Sequence, residues 1–167
     1  QQEQGQNLKS IGKNFLLAMV VVYMLLAIPF KSYFQPLVVM SSIPFGLTGA
    51  MFGHLIMGIN FSVLSLMGVG ALTGVVVNDS LVMVDFINRY RSEGNNIMEA
   101  VLEAGPRRFR PIFLTSLTTF VGLIPLLLEK SAQAKFLIPM AVSLSFGVIF
   151  ATAITLFLVP VGYLVLE

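Results

Sequence analysis

The sequence contains no cysteine, no tryptophan and a single histidine, and Asp, Glu, Lys and Arg together make up only 11% of its 167 residues. Without cysteine, disulfides, zinc-thiolate centres and thiol catalysis are excluded, and nothing marks a redox compartment. One histidine without cysteine offers no metal-ligand spacing, so neither a metal nor a cofactor is expected. No Ser-His-Asp set, phosphate-cradling glycine loop or paired-carboxylate arrangement can be assembled, so no catalytic residue is assigned and an enzyme is not expected. Ten Lys and Arg against eight Asp and Glu leave a formal net charge of +2. That excess is too small and too scattered for a nucleic-acid partner.

The chain is rich in apolar residues, which make up 56% of it, and its mean hydropathy is +0.89. That balance lies outside the range of soluble domains and points to an all-α, polytopic membrane bundle whose first partner is the lipid bilayer. Five stretches approach the roughly 17 to 25 residues a helix needs to cross. They run from Phe15 to Phe30, from Pro36 to about Ile59, from Phe61 to about Asn88, from Pro111 to Leu128, and from Phe136 to about Leu166. Residues 1–14 read as an extramembrane lead-in and residues 15–167 as one bundle. Prolines inside the runs predict kinks that neighbouring helices satisfy. Neither an internal repeat nor a low-complexity tract is visible.

Short loops make consecutive spans antiparallel. One side then holds Lys9, Lys13, Lys130 and Lys135, and the other Lys31, Arg89, Arg91, Arg107, Arg108 and Arg110. The positive-inside rule places the segment between spans three and four in the cytoplasm, with the N-terminus outside and the C-terminus inside. With neither an initiator Met nor a signal sequence at residues 1–14, the expectation is the C-terminal part of a longer transporter or an excised piece of one. Between the third and fourth spans, Asn96 with Glu99 resembles a capping box, predicting a cytoplasmic surface helix over about 96–105 that Gly105 and Pro106 end. The following "RRFRP" reads as a topology anchor at the membrane boundary.

Chemistry concentrates in "GVVVNDSLVMVDF", residues 74–86. An Asp near the centre of a spanning helix costs roughly 2.5 to 3.5 kcal/mol, so Asp79 calls for a bundle interior or a wet cavity. Asn78 shares a helical face with Gly74 and Asp85, while Asp79 is rotated by about 100° from it. Gly70 and Gly74, with Ala71 beside them, form a small-residue pair that predicts a closely packed partner helix. A carboxylate held away from water can take up and release protons in a working range, so Asp79 is a proton-relay candidate with Asp85 secondary. The structural alternatives are helix-to-helix hydrogen bonds for Asn78 and Asp79, and an i,i+4 pair with Arg89 for Asp85. Thr115, Ser116, Thr118 and Thr119 add hydroxyls to span four, where most such groups bond their own i−4 carbonyl. His54 reads as a satisfied interfacial histidine.

"GVVVNDSLVMVDFIN", "EAVLEAGPRRFRPIFLTSLTTFVGLIPLLL", "FGVIFATAITLFLVPVGYLV" and "VVVYMLLAIPFKSYFQPLVVMSSIPFG" occur along the chain. Together they resemble the C-terminal transmembrane half of resistance-nodulation-division (RND) efflux pumps, the AcrB-like hydrophobe and amphiphile exporters of bacterial inner membranes. The resemblance implies helices eight to twelve of a twelve-helix subunit, in a multi-pass inner-membrane homotrimer driven by proton antiport. It further implies partners: the missing N-terminal transmembrane half, a periplasmic porter region, a periplasmic adaptor and an outer-membrane channel. The fragment alone would not export drugs.

In that family two aspartates of the fourth helix meet a lysine of the tenth, and an arginine and a threonine of the eleventh complete the relay. The corresponding positions are Asn78, Arg108 and Thr115. Asn78 carries no charge, and Asp79 stands where many relatives have a neutral Asn. The expectation is therefore either that Asp79 is itself a proton-binding member of an altered relay or that this branch couples differently. The competing readings are a structural or association bundle and a lipid-type carrier of the wider RND superfamily.

Overall fold

The structure is a computed structural model that describes residues 2–166, without the side chains of residues 2–4, 7, 8 and 166. The described chain is helical, with α1 at Gln2–Phe30, α2 at Gln35–Met40, α3 at Ile43–Met57, α4 at Val63–Ser92, α5 at Ile97–Leu128 and α6 at Ala134–Leu166. Five stretches are long and apolar enough to cross a membrane, with α2 and α3 together making one of them. The all-α, five-span reading therefore holds.

Helix α6 is the centre of the bundle, packed against α3, α4 and α5, whereas α1 leans mainly on α2 and α4. Close approach of α3 and α6 follows from small residues at helical spacing. Gly46, Gly49 and Gly53 form one row of α3, and a Cβ at Gly49 or Gly53 would meet Phe150 or Phe146 of α6. Small residues let backbones come together where lipid gives no hydrophobic drive between helices. Among the described residues no helix packs closely on Gly70 and Gly74, since a Cβ at either would meet nothing within 4 Å. The α4 glycine that packs is Gly68, whose added Cβ would run into the Met140 carbonyl and come within 2.9 Å of the Ser143 Cβ.

The second span is broken. Pro44 has no N–H to return to the Met40 carbonyl, and its ring crowds that carbonyl, so α2 ends at Met40 and α3 restarts at Ile43. A turn at Gly58, with φ of 65°, ends α3; the left-handed conformation there suits glycine. Ser62 and Ser65 then form a reciprocal capping box that starts α4.

The expected stop at Gly105 and Pro106 does not occur, because α5 runs unbroken from Ile97 through Pro106 and Pro111 into the fourth span. Packing overrides the local signal. Ala100, Val101 and Ala104 are buried in the core, and an Arg107–Glu103 bridge of 2.7 Å spans the Gly-Pro pair. Asn96 is the N-cap residue of α5 as expected, but its side chain caps nothing.

A closed polar network ties α2, α4 and α6 together at the end that carries Asn88. The Asn88 amide donates to Gln35 Oε1 at 2.8 Å, the buried Tyr163 hydroxyl donates to Asn88 Oδ1 at 2.6 Å, and Arg91 donates to Tyr163 at 3.2 Å. Asn88→Leu removes its bonds to Gln35 and Tyr163 and leaves the Tyr163 hydroxyl proton without its acceptor, although Arg91 still donates to that oxygen. A loss of about 1–3 kcal/mol in unfolding free energy is expected, read by thermal melting in detergent.

Candidate polar layer and relay residues

Helix α4 buries one stripe, comprising Ser65, Gly68, Val69, Leu72, Thr73, Val76, Asp79, Ser80, Met83, Val84 and Ile87. Its upper apolar part joins Ala50, Val148 and Ala151 in one cluster, and its lower part joins Val38, Val39, Val159 and Tyr163 in another. Between the two clusters α4 contributes Asp79 and Ser80, the α2–α3 break contributes Ser42, and α6 contributes Thr155. All four side chains are buried. The bundle thus carries a polar layer between two apolar ones.

The register of α4 against α6 places the layer. Gly68 lies beside Ser143 and Leu72 beside Gly147, while Asn88 is bonded to Tyr163. That constant offset sets Asp79 and Ser80 level with Ile154 and Thr155. Asp79 lies two turns from Leu72, on nearly the same face, and so points towards α6. Thr155 shares a face of α6 with Val148 and Val159, both fully buried. The break supplies the third side, where Ser80 Oγ lies 3.2 Å from Ser42 Oγ and 2.9 Å from the Val76 carbonyl.

Asp79 is only 5% exposed, and among the described residues no hydrogen bond or ion pair reaches its carboxylate. The Thr155 hydroxyl is likewise buried without a partner, as is that of Ser143. Both differ from Thr73, Thr115, Thr118, Thr119 and Ser145, which all bond a carbonyl three or four residues back.

The other relay candidates lie elsewhere. Asn78 is exposed on the opposite flank of α4 and lines a groove of about 440 Å³ against α1 with Gly70, Gly74, Met19 and Leu26. Arg108 stacks on Phe86, its guanidinium carbon 5.0 Å from the ring centroid, with Nε buried and unpartnered. Phe86 is seven residues, or about 10 Å, along α4 from Asp79. Thr115 is exposed and its hydroxyl reaches the Pro111 and Ile112 carbonyls at 2.9 and 2.8 Å. Ser116 bonds Thr152 of α6 at 2.5 Å. The structure therefore buries Asp79 but does not bring Asn78, Arg108 and Thr115 to it.

Asp85 pairs with Arg89 at 3.4 Å, both side chains more than half exposed. Such a pair contributes little, so Asp85→Asn should shift unfolding free energy by less than about 0.5 kcal/mol, checked by denaturant titration. His54 is buried at the other end of the bundle. Its Nδ1 lies 2.9 Å from the Ala50 carbonyl and its Nε2 2.7 Å from Ser65 Oγ, which makes it a structural tie between α3 and α4. Among the described residues no group of three or more His, Cys, Asp or Glu could hold a metal ion.

Sequence patterning reached Asp79 but missed Ser42, Ser80 and Thr155. Pro44, four residues after the last residue of α2, was the signal for Ser42. No signal in the sequence distinguishes Thr155 from the other hydroxyls.

The family model described as AcrB/AcrD/AcrF matches residues 1–167. The chain is similar to the multidrug resistance protein MdtC of Erwinia tasmaniensis, at 34% identity over 153 residues, covering 91% of this chain and 15% of that protein. MdtC of Proteus mirabilis is 33% identical over 150 residues, covering 89% of this chain and 15% of that protein. Among solved structures, crystal form II of a heavy metal efflux pump superposes with a TM-score of 0.90 at 28% identity, over 99% of this chain and 17% of that one. Crystal form I gives 0.84 at 27% identity, over 98% and 16%. The chain thus spans about 15% of the length of the curated relatives it matches.

Proposed function

The chain belongs to the AcrB/AcrD/AcrF family of RND efflux transporters, and from that premise we propose that it is the ion-coupling transmembrane part of a pump that exports amphiphilic compounds or drugs. Export is driven by protons moving inward, with Asp79 as the group that binds and releases them. The observation that carries this reading is a buried carboxylate without a counter-charge, held in a polar layer between two apolar clusters. A purely structural bundle has no use for so costly a group.

The departures from the family pattern bear on the mechanism. With Asn78 neutral and exposed, the lysine's charge is absent from its usual place. Arg108, held over Phe86 about two turns away, is too distant to replace it directly. In this reading Asp79 alternates between an ionised state, in which the layer is hydrated, and a protonated state, in which the two apolar clusters close over it. The exchange moves α4 against α6, and the Asn88–Tyr163 network carries that movement to the cytoplasmic ends of α2 and α6.

The multi-pass chain sits in the inner membrane with residue 1 on the periplasmic side and residue 167 in the cytoplasm, as its distribution of Lys and Arg supports. Its partners are the rest of the subunit, two further subunits, a periplasmic adaptor and an outer-membrane channel. The test is full-length protein in proteoliposomes loaded with an amphiphilic dye. An imposed proton gradient should drive dye movement, and a protonophore should stop it. Dye movement that ignores the gradient would overturn proton coupling.

A further inference from the structure

The polar layer holds more oxygen ligands than a carboxyl proton needs. Pro44 leaves the Met40 carbonyl without its i+4 donor, next to Ser42 at the break. The Ser80 hydroxyl has one proton and two acceptors in reach. Donated to the Val76 carbonyl, it leaves the lone pairs of both Ser80 and Ser42 free, at a separation of 3.2 Å. Two oxygens around one small cation stand about that far apart. The Thr155 hydroxyl, 1% exposed and without a hydrogen-bond partner, is the second observation that points to a ligand here. An unpaired buried hydroxyl costs about 1–3 kcal/mol, and here its register sets it level with Asp79 and Ser80.

We infer that this layer is a binding site for a sodium-sized monovalent cation, ligated by the Asp79 carboxylate, the Ser42, Ser80 and Thr155 hydroxyls and the Met40 carbonyl. Interrupted membrane helices present unwound carbonyls in this way, and hard cations take oxygen ligands. The charge count selects a monovalent ion. One carboxylate neutralises one positive charge, whereas a divalent ion would leave an uncompensated charge between two apolar clusters. Close packing above and below the layer, with Val76, Ala151 and Met83 all buried, selects against larger ions.

The inference rests on the proposed role of Asp79 for its use in transport, but binding is measured without transport. Full-length protein in detergent is equilibrated with radioactive sodium, with choline holding ionic strength constant. One saturable site per chain is expected, with potassium competing about tenfold less well, a difference of about 1.4 kcal/mol. Thr155→Val should weaken sodium binding about tenfold or more, and Asp79→Asn should abolish it. Thr118→Val, at an exposed hydroxyl on α5, should leave it unchanged. Absence of saturable binding by the unmodified protein, or binding unaltered in both layer variants, overturns the site. Proton-driven export by a protein that binds no sodium removes the cation site and leaves proton coupling standing. Sodium binding with export indifferent to Asp79→Asn does the reverse.

Discussion

Asp79→Asn reduces uphill export by the full-length pump to less than about a tenth of the unmodified rate while leaving the protein folded in the membrane. The substitution keeps the size and shape of the side chain and removes only its ability to ionise. Because Asp79 makes no hydrogen bond or ion pair among the described residues, an amide there breaks no existing contact. Burying an uncharged amide in place of a carboxylate should hold or raise stability, since the desolvation cost of the charge disappears. Export and stability therefore move in different directions. A parallel fall in both would instead mark Asp79 as a packing residue. Dye export and thermal melting on the same preparation separate the two.

Gly68→Val should be among the most damaging small substitutions in the bundle. A Cβ at residue 68 meets the backbone carbonyl of Met140 and stands 2.9 Å from the Ser143 Cβ. Neither is the free end of a flexible side chain, so α4 and α6 must separate to admit the new group. Overpacking of this kind costs about 1–3 kcal/mol, occasionally more. The cost reaches the function too, because the same contact sets the register that places Asp79 and Ser80 level with Ile154 and Thr155. Gly70→Val and Gly74→Val, one face away, meet nothing within 4 Å in this chain. Melting temperatures of the three variants, measured together, should show a large fall for Gly68 alone.

The contrast between Gly68 and Gly70 shows where sequence reading stops. Hydropathy finds the five spans because a bilayer imposes length and apolarity on each one separately. Which face of a span meets a neighbour is a property of pairs of helices, and every small-residue row looks alike before they are paired. Gly70 and Gly74 have the spacing of a packing motif, as do Gly46, Gly49 and Gly53, yet only the second row is covered by another helix of this chain. The same rotation separates Asn78 from its neighbour. The 100° step from Asn78 to Asp79 is legible, but only packing against α6 shows that Asp79 is the buried member.

Local signals failed where tertiary contacts outweighed them. Gly105 and Pro106 read as a helix end, yet buried Ala100, Val101 and Ala104 hold α5 straight through. Pro44, by contrast, did break its span, because it returns no N–H to the Met40 carbonyl and its ring crowds that carbonyl. Thr155 had no signal at all, since its interest lies in a hydrogen bond that it does not make.

The most direct test is infrared difference spectroscopy of the full-length protein in lipid, comparing acid with alkaline conditions, in the unmodified protein and in Asp79→Asn. If Asp79 is the coupling group, the difference spectrum contains a protonated-carboxyl band that titrates reversibly and is missing from the variant. Identical spectra from the two proteins would mean that Asp79 exchanges no proton, and the coupling role assigned to the polar layer would be wrong.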